Sequence, residues 1–237
     1  MIHISHIDKE YKKKQVLFDF SMNIETGQHM VYGLIGPNGA GKTTFIKVLT
    51  GVLYYSKGNI FVDESANYDE WCKNNVVLIA AGERGMRYKN TVYDNAMLFA
   101  VMKGVEESRI KELIKKYAEI LNFTDFLNRR IETLSMGEKK KVMLLCGLCT
   151  DMKVIIMDEP SNGLDIDAQI ELKGIIRKLA DEYDKTFLIS SHDLSFVSEI
   201  VDSYVFIFDG KNVYEAKERM EIEQIRQKYQ DLKMENE

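Results

Sequence analysis

An apolar run, His29 to Ile35, leads directly into Gly36-Pro37-Asn38-Gly39-Ala40-Gly41-Lys42-Thr43-Thr44, and the segment that follows, Phe45 to Leu53, has helical character. Strand, glycine-rich loop and helix in that order constrain the fold more than any other feature of the chain. The spacing fits G-x-x-x-x-G-K-[ST], in which glycines let backbone N–H groups turn inward around an anion. Lys42 then supplies a point charge to the β- and γ-phosphates, and Thr43 offers a hydroxyl to Mg²⁺. The helix presents the positive end of its dipole to the same phosphates. The predicted ligand is a nucleoside triphosphate with Mg²⁺, held by Gly36, Pro37, Asn38, Gly39, Ala40, Gly41, Lys42, Thr43 and Thr44.

The rest of the chain alternates strands with helices. Ile2 to Ile7 and Gln15 to Ile24 read as an antiparallel hairpin across the charged turn Asp8 to Lys14. Further strands are predicted at 58–62, 76–80, 154–157, 186–190 and 204–208, the last four apolar enough for a sheet covered on both faces. From about residue 93 to 150 helical periodicity takes over, with Ile110, Leu113, Ile114, Tyr117, Ile120 and Leu121 on one face. The fold class is therefore α/β, with an N-terminal antiparallel β subdomain and an inserted helical subdomain. Residues 1–80 and 151–214 are assigned to the β subdomain and α/β core, 83–150 to the helical subdomain and 215–237 to a helical tail. In that tail Ile222, Ile225, Tyr229 and Leu232 form a seam of only two heptads, which favours packing on its own domain over a coiled coil.

Composition narrows the partners. A net charge of −5 without a basic cluster argues against nucleic acid. No run reaches the ~18 apolar residues that span a bilayer, and Met1-Ile2-His3-Ile4 lacks a signal-peptide pattern, so a cytoplasmic location is expected. Cys72, Cys146 and Cys149 are an odd set, which argues against a disulfide framework. The C-x-x-C of Cys146 and Cys149 has the spacing of a redox or metal pair. It lies in an apolar helical run without a second pair or a nearby histidine, so small buried core residues are the favoured reading.

A phosphate loop alone leaves kinases, GTPases, motors and transport ATPases open. Lys153 to Pro160 is a strand ending in Asp158 and Glu159: the first suits Mg²⁺ and the second suits a water attacking the γ-phosphoryl group. About twenty residues earlier, Leu134-Ser135-Met136-Gly137-Glu138 satisfies an ordinary capping box, yet in this position it resembles the signature motif of the ATP-binding cassette (ABC) ATPases. Ser161 to Asp165 resembles that family's D-loop, and Ser190-Ser191-His192-Asp193 its switch histidine.

The resemblance implies a P-loop NTPase with a RecA-like core, a head-to-tail dimer with itself or a homologous subunit, and ATP buried between the copies. It implies that Ser135, Gly137 and Glu138 face the partner's ATP, that Ser161 and Asp165 belong to the D-loop, that His192 contacts the γ-phosphate, and that Tyr11 stacks on adenine. Tyr11 also reads as a plain turn residue beside Lys12 to Lys14. The expected assembly is a transporter, with the chain peripheral on the inner membrane face and driving a separate integral membrane permease; a soluble ABC scaffold or clamp is the alternative. Met136 and Glu138 depart from the usual glycine and glutamine of the signature. A glutamine is also missing after the strand at 76–80, where Ala81-Gly82-Glu83-Arg84-Gly85 stands. Glu83 is either its replacement or a solvated loop acid, and Gly-Glu-Arg there is similar to a subset of ABC-2-type export ATPases.

Overall fold

A computed structural model describes residues 1–12, 14–65, 67–82 and 85–236. Strands β1 (Ile2–Tyr11) and β2 (Lys14–Ile24) pair antiparallel from Ile2↔Ile24 to Tyr11↔Lys14, and β4 (Lys57–Val62) adds to the other side of β1. The hairpin turn is much tighter than the charged stretch Asp8 to Lys14 suggested. Charged residues are tolerated within these strands because one face of the sheet is solvated.

Among the described residues the second sheet has six strands in the order β5 (Val76–Ile79), β6 (Val154–Asp158), β7 (Thr186–Ser191), β3 (Val31–Ile35), β8 (Ser203–Phe208) and β9 (Lys211–Ala216). All neighbours are parallel except β8 and β9. Strand β9 was not anticipated, because Lys211-Asn212-Val213-Tyr214-Glu215-Ala216 is an edge segment that needs apolar contact on one side only.

Successive residues of the central strands go to different cores, as a period of two requires. Leu34, Ile156, Leu188 and Ile207 pack with Ile2, Leu17 and Phe20 of the antiparallel sheet, and with Phe45 of α1 (Lys42–Leu49). The rings of Phe20 and Phe45 are 4.2 Å apart. Ile35, Ile155, Phe187 and Phe206 face the other core, with helices α3 (Val92–Met102), α4 (Glu107–Ile120), α5 (Met136–Leu148) and α6 (Ile166–Tyr183). Helix α2 (Tyr68–Asn75) leads into β5, and α7 (Leu194–Ser198) into β8. The tail helix α8 (Ile222–Asn236) buries Ile225 and Leu232 and sets Tyr229 5.3 Å from Phe208, so it packs on its own chain.

Candidate active site

Parallel pairing brings the ends of β3, β6 and β7 level, with Leu34, Ser190 and Asp158 in one row. The phosphate loop, Glu159 and His192 emerge beyond those ends and meet there, where ligands bind in open parallel sheets generally. The loop after β3 reaches α1 through Gly41, whose φ of +104° only glycine adopts readily. A Cβ at Gly41 would stand 3.1 Å from Leu17 Cδ2 and 3.2 Å from the Val16 carbonyl oxygen, so β2 backs the loop closely. No side chain caps the start of α1, which leaves its first N–H groups for an anion.

Lys42 is only 5 % exposed. Its Nζ donates to the carbonyls of Gly36 (2.7 Å) and Pro37 (3.1 Å) and lies 3.2 Å from Glu159 Oε1. Thr43 Oγ1 donates to Asp158 Oδ2 at 2.8 Å, and Ser190 Oγ donates to Asp158 Oδ1 at 2.6 Å. A hydroxyl facing a carboxylate is an all-oxygen donor set of the kind hard divalent cations take, so these residues fit Mg²⁺.

Glu159 leaves β6 with φ +50°, a left-handed conformation that costs a residue with a side chain about 1 kcal/mol or more. Its Oε2 lies 2.8 Å from His192 Nδ1. An ionised carboxylate only accepts, so Nδ1 carries the proton and the other ring nitrogen is left on a side chain 43 % exposed. Glu159 Oε1 is buried and accepts no hydrogen bond within the described residues, although the Lys42 charge is near. An acceptor in that state suits a water, or a group carrying a proton.

Ser135 and Glu138 close a capping box at the start of α5: Ser135 Oγ accepts from Glu138 N (3.3 Å), and Glu138 Oε2 from Ser135 N (2.7 Å). Asp165 caps α6 by accepting from Ala168 N at 2.8 Å. A Cβ at Gly137 would be 3.2 Å from Ala168 Cβ, so the two helix starts abut. Ser135, Gly137, Glu138 and Asp165 line a second cleft, and the phosphate-loop cleft is lined by a different set that includes Lys42, Thr43 and Glu159. Met136, Ile166 and Ile170 are exposed apolar side chains on the elements that form the second cleft. Ser161 is buried, and its carbonyl accepts from Leu164 N.

Tyr11 ends β1, with the Lys9 ammonium 5.0 Å from its ring centroid; from this sheet it is Val16 that lines the phosphate-loop cleft. Glu83 lies outside the described residues. Cys146 and Cys149 are buried in the helical core, and no metal-binding cluster of His, Cys, Asp and Glu occurs among the described residues. Two participants escaped sequence reasoning. The Ser190 hydroxyl has no spacing rule to announce it. Asp209-Gly210, between β8 and β9, is a recognisable hairpin dipeptide, but its contact with the loop is tertiary: Gly210 N donates to the Ala40 carbonyl at 2.9 Å.

A parallel-rich sheet carrying a glycine-rich loop with a buried lysine, paired carboxylates and a histidine at its strand ends, with a helical insertion, defines an ATP-hydrolysing ABC cassette. The chain belongs to the ABC transporter family, whose model matches residues 17–162. It is 36 % identical over 219 residues to the lantibiotic transport ATP-binding protein SrtF of Streptococcus pyogenes, covering 92 % of this chain and 91 % of SrtF. It is 31 % identical over 220 residues to the ABC transporter ATP-binding protein NatA of Bacillus subtilis, covering 90 % and 88 %. In fold it is similar to cbiO1 of Clostridium perfringens, part of the ABC transporter complex cbiONQ, with a TM-score of 0.83, 23 % identity, and coverage of 98 % and 93 %. No helix among the described residues is long and apolar enough to cross a membrane.

Proposed function

We propose that this chain binds and hydrolyses Mg·ATP in the Lys42 cleft, pairs head-to-tail with a second cassette, and drives a separate membrane-spanning subunit as the engine of an exporter on the inner membrane face.

 The observation that carries this reading is the meeting of Lys42, Thr43, Asp158, Glu159 and His192 in one cleft. When bound, Mg²⁺ offsets the charge of the β- and γ-phosphates. Lys42 neutralises the same region, and Thr43 with Asp158 holds the cation. Glu159, its other oxygen bonded to His192, accepts a proton from the attacking water through Oε1.

Ser135 and Gly137 lie in a cleft of their own, and apolar Met136, Ile166 and Ile170 stand exposed on the helices that form it. A second copy seated there would cover these side chains and bring a helix N-terminus to the nucleotide, which supports the composite site. Similarity to a lantibiotic transport protein supports a transporter, and the Gly82-Glu83-Arg84 sequence supports the outward direction. An apolar groove lined by Val77, Ile79, Met86, Phe99 and Met143 suits a short helix of the membrane subunit. Phosphate release from Mg·ATP by the parent, Lys42→Ala and Glu159→Gln tests the site. Activity is expected in the parent alone, and a Glu159→Gln protein with parental turnover contradicts the reading.

A further inference from the structure

Ser190 lies on β7, between the strand that carries the phosphate loop and the strand that carries the two carboxylates, in register with Leu34 on one side and Asp158 on the other. It is 0 % exposed, so no solvent can replace what its hydroxyl does. That hydroxyl donates to Asp158 Oδ1 at 2.6 Å and accepts from the Glu159 backbone N–H at 3.1 Å. The other Asp158 oxygen is already engaged by Thr43. Two hydroxyls, one on each oxygen, therefore fix the plane of the carboxylate.

Resting on the nucleotide reading above, we propose that Ser190 is a positioning residue for cation binding, holding Asp158 so that Oδ2 faces Thr43. The effect falls on Asp158 rather than on Glu159, because the Glu159 N–H also bonds the Ser190 carbonyl at 3.1 Å and keeps that partner when the hydroxyl is removed. Without the hydroxyl, the buried Asp158 Oδ1 loses a donor and the side chain is free to turn about its last torsion. His192, two residues further on and just past the end of β7, is paired with Glu159, so this strand and the residue after it engage both carboxylates from between them and the phosphate-loop strand.

The test compares Ser190→Val with Ser190→Thr, which share a shape and differ in the hydroxyl. Mn²⁺ binding in the presence of ADP is followed by electron paramagnetic resonance of the free ion, and ADP binding is measured separately in EDTA. Losing a hydrogen bond to a charged acceptor should weaken Mn²⁺ binding by about ten-fold in the Val form, and Thr should restore it to within about three-fold of the parent. ADP affinity in EDTA should be the same in all forms. Ser190→Ala adds no atoms to the packed strand and must show the same loss as Val, which separates the role from overpacking. Val and Thr forms that shift together, or an Ala form that binds Mn²⁺ like the parent, would overturn the role of Ser190 alone. A parent that binds no Mn²⁺ with ADP would overturn the nucleotide reading and this inference together.

Discussion

Replacing Gly210 by Ala should damage nucleotide binding from outside every phosphate-contacting segment. Gly210 has φ +76°, and a Cβ there would lie 2.0 Å from the Val16 carbonyl oxygen and 3.0 Å from Phe18 Cδ2. Relieving the first contact requires a shift of roughly 1 Å in a close-packed interior. The left-handed backbone costs alanine about 1 kcal/mol, and overpacking of this kind about 2 kcal/mol more. The expected loss is therefore about 3 kcal/mol, or roughly 10 °C in melting temperature for a domain of this size. The displacement has somewhere specific to go. Gly210 N donates to the Ala40 carbonyl and Gly210 O accepts from Phe18 N, both at 2.9 Å, so moving the turn drags the phosphate loop and β2. ADP affinity should fall about ten-fold, comparable to a lost anion contact. Differential scanning calorimetry and isothermal titration with Mg·ADP measure the two effects. Gly174→Ala is the control: that glycine is exposed inside α6 with nothing within 4 Å of a Cβ, so the change should stabilise by about 1 kcal/mol. A Gly210→Ala protein that melts and binds Mg·ADP like the parent would refute the reasoning.

Three other outcomes follow from the geometry. Burial pushes the Cys146 thiol up to about 12 and raises Cys149 and Cys72 as well, so thiolate is scarce near pH 8. Native protein should scarcely react with Ellman's reagent, whereas all three cysteines should react in guanidinium; fast native labelling would contradict the packing. Glu138→Gln keeps an oxygen for the Ser135 N–H but removes a negative charge from the signature helix, so thermal stability should change by less than about 0.5 kcal/mol while ATPase turnover rises; a slower enzyme of equal stability would assign the carboxylate a positive role. Phe99→Asp should abolish co-purification with the membrane subunit, and a change at the exposed Glu107 should not; equal recovery of both would move the docking surface elsewhere.

The loop and the carboxylates that meet in the cleft were legible in the sequence where a local rule governs them. Gly36 to Thr43 must be contiguous to wrap a phosphate, and an apolar strand ending in Asp158 and Glu159 announces carboxylates at a sheet edge. Element limits shifted for physical reasons: the helix after the loop starts at Lys42 and ends at Leu49, because Thr50 and Gly51 close its last turn through Ile46 and Val48. What stayed hidden is tertiary. Ser190 acquires its partner from a neighbouring strand, and Gly210 meets Val16 from the far end of the chain. The charged residues 8–14 suggested a long turn, since half of each strand there needs no apolar side chain.

The composite site is the central claim, and sedimentation velocity of Glu159→Gln with and without Mg·ATP tests it most directly. With hydrolysis blocked, ATP should convert the protein from monomer to dimer. Adding Gly137→Asp, which sets a carboxylate at the signature helix start, should leave it monomeric while ATP still binds in the Lys42 cleft. A Glu159→Gln protein that stays monomeric at saturating Mg·ATP, or a double variant that dimerises as well as the single one, would contradict the account.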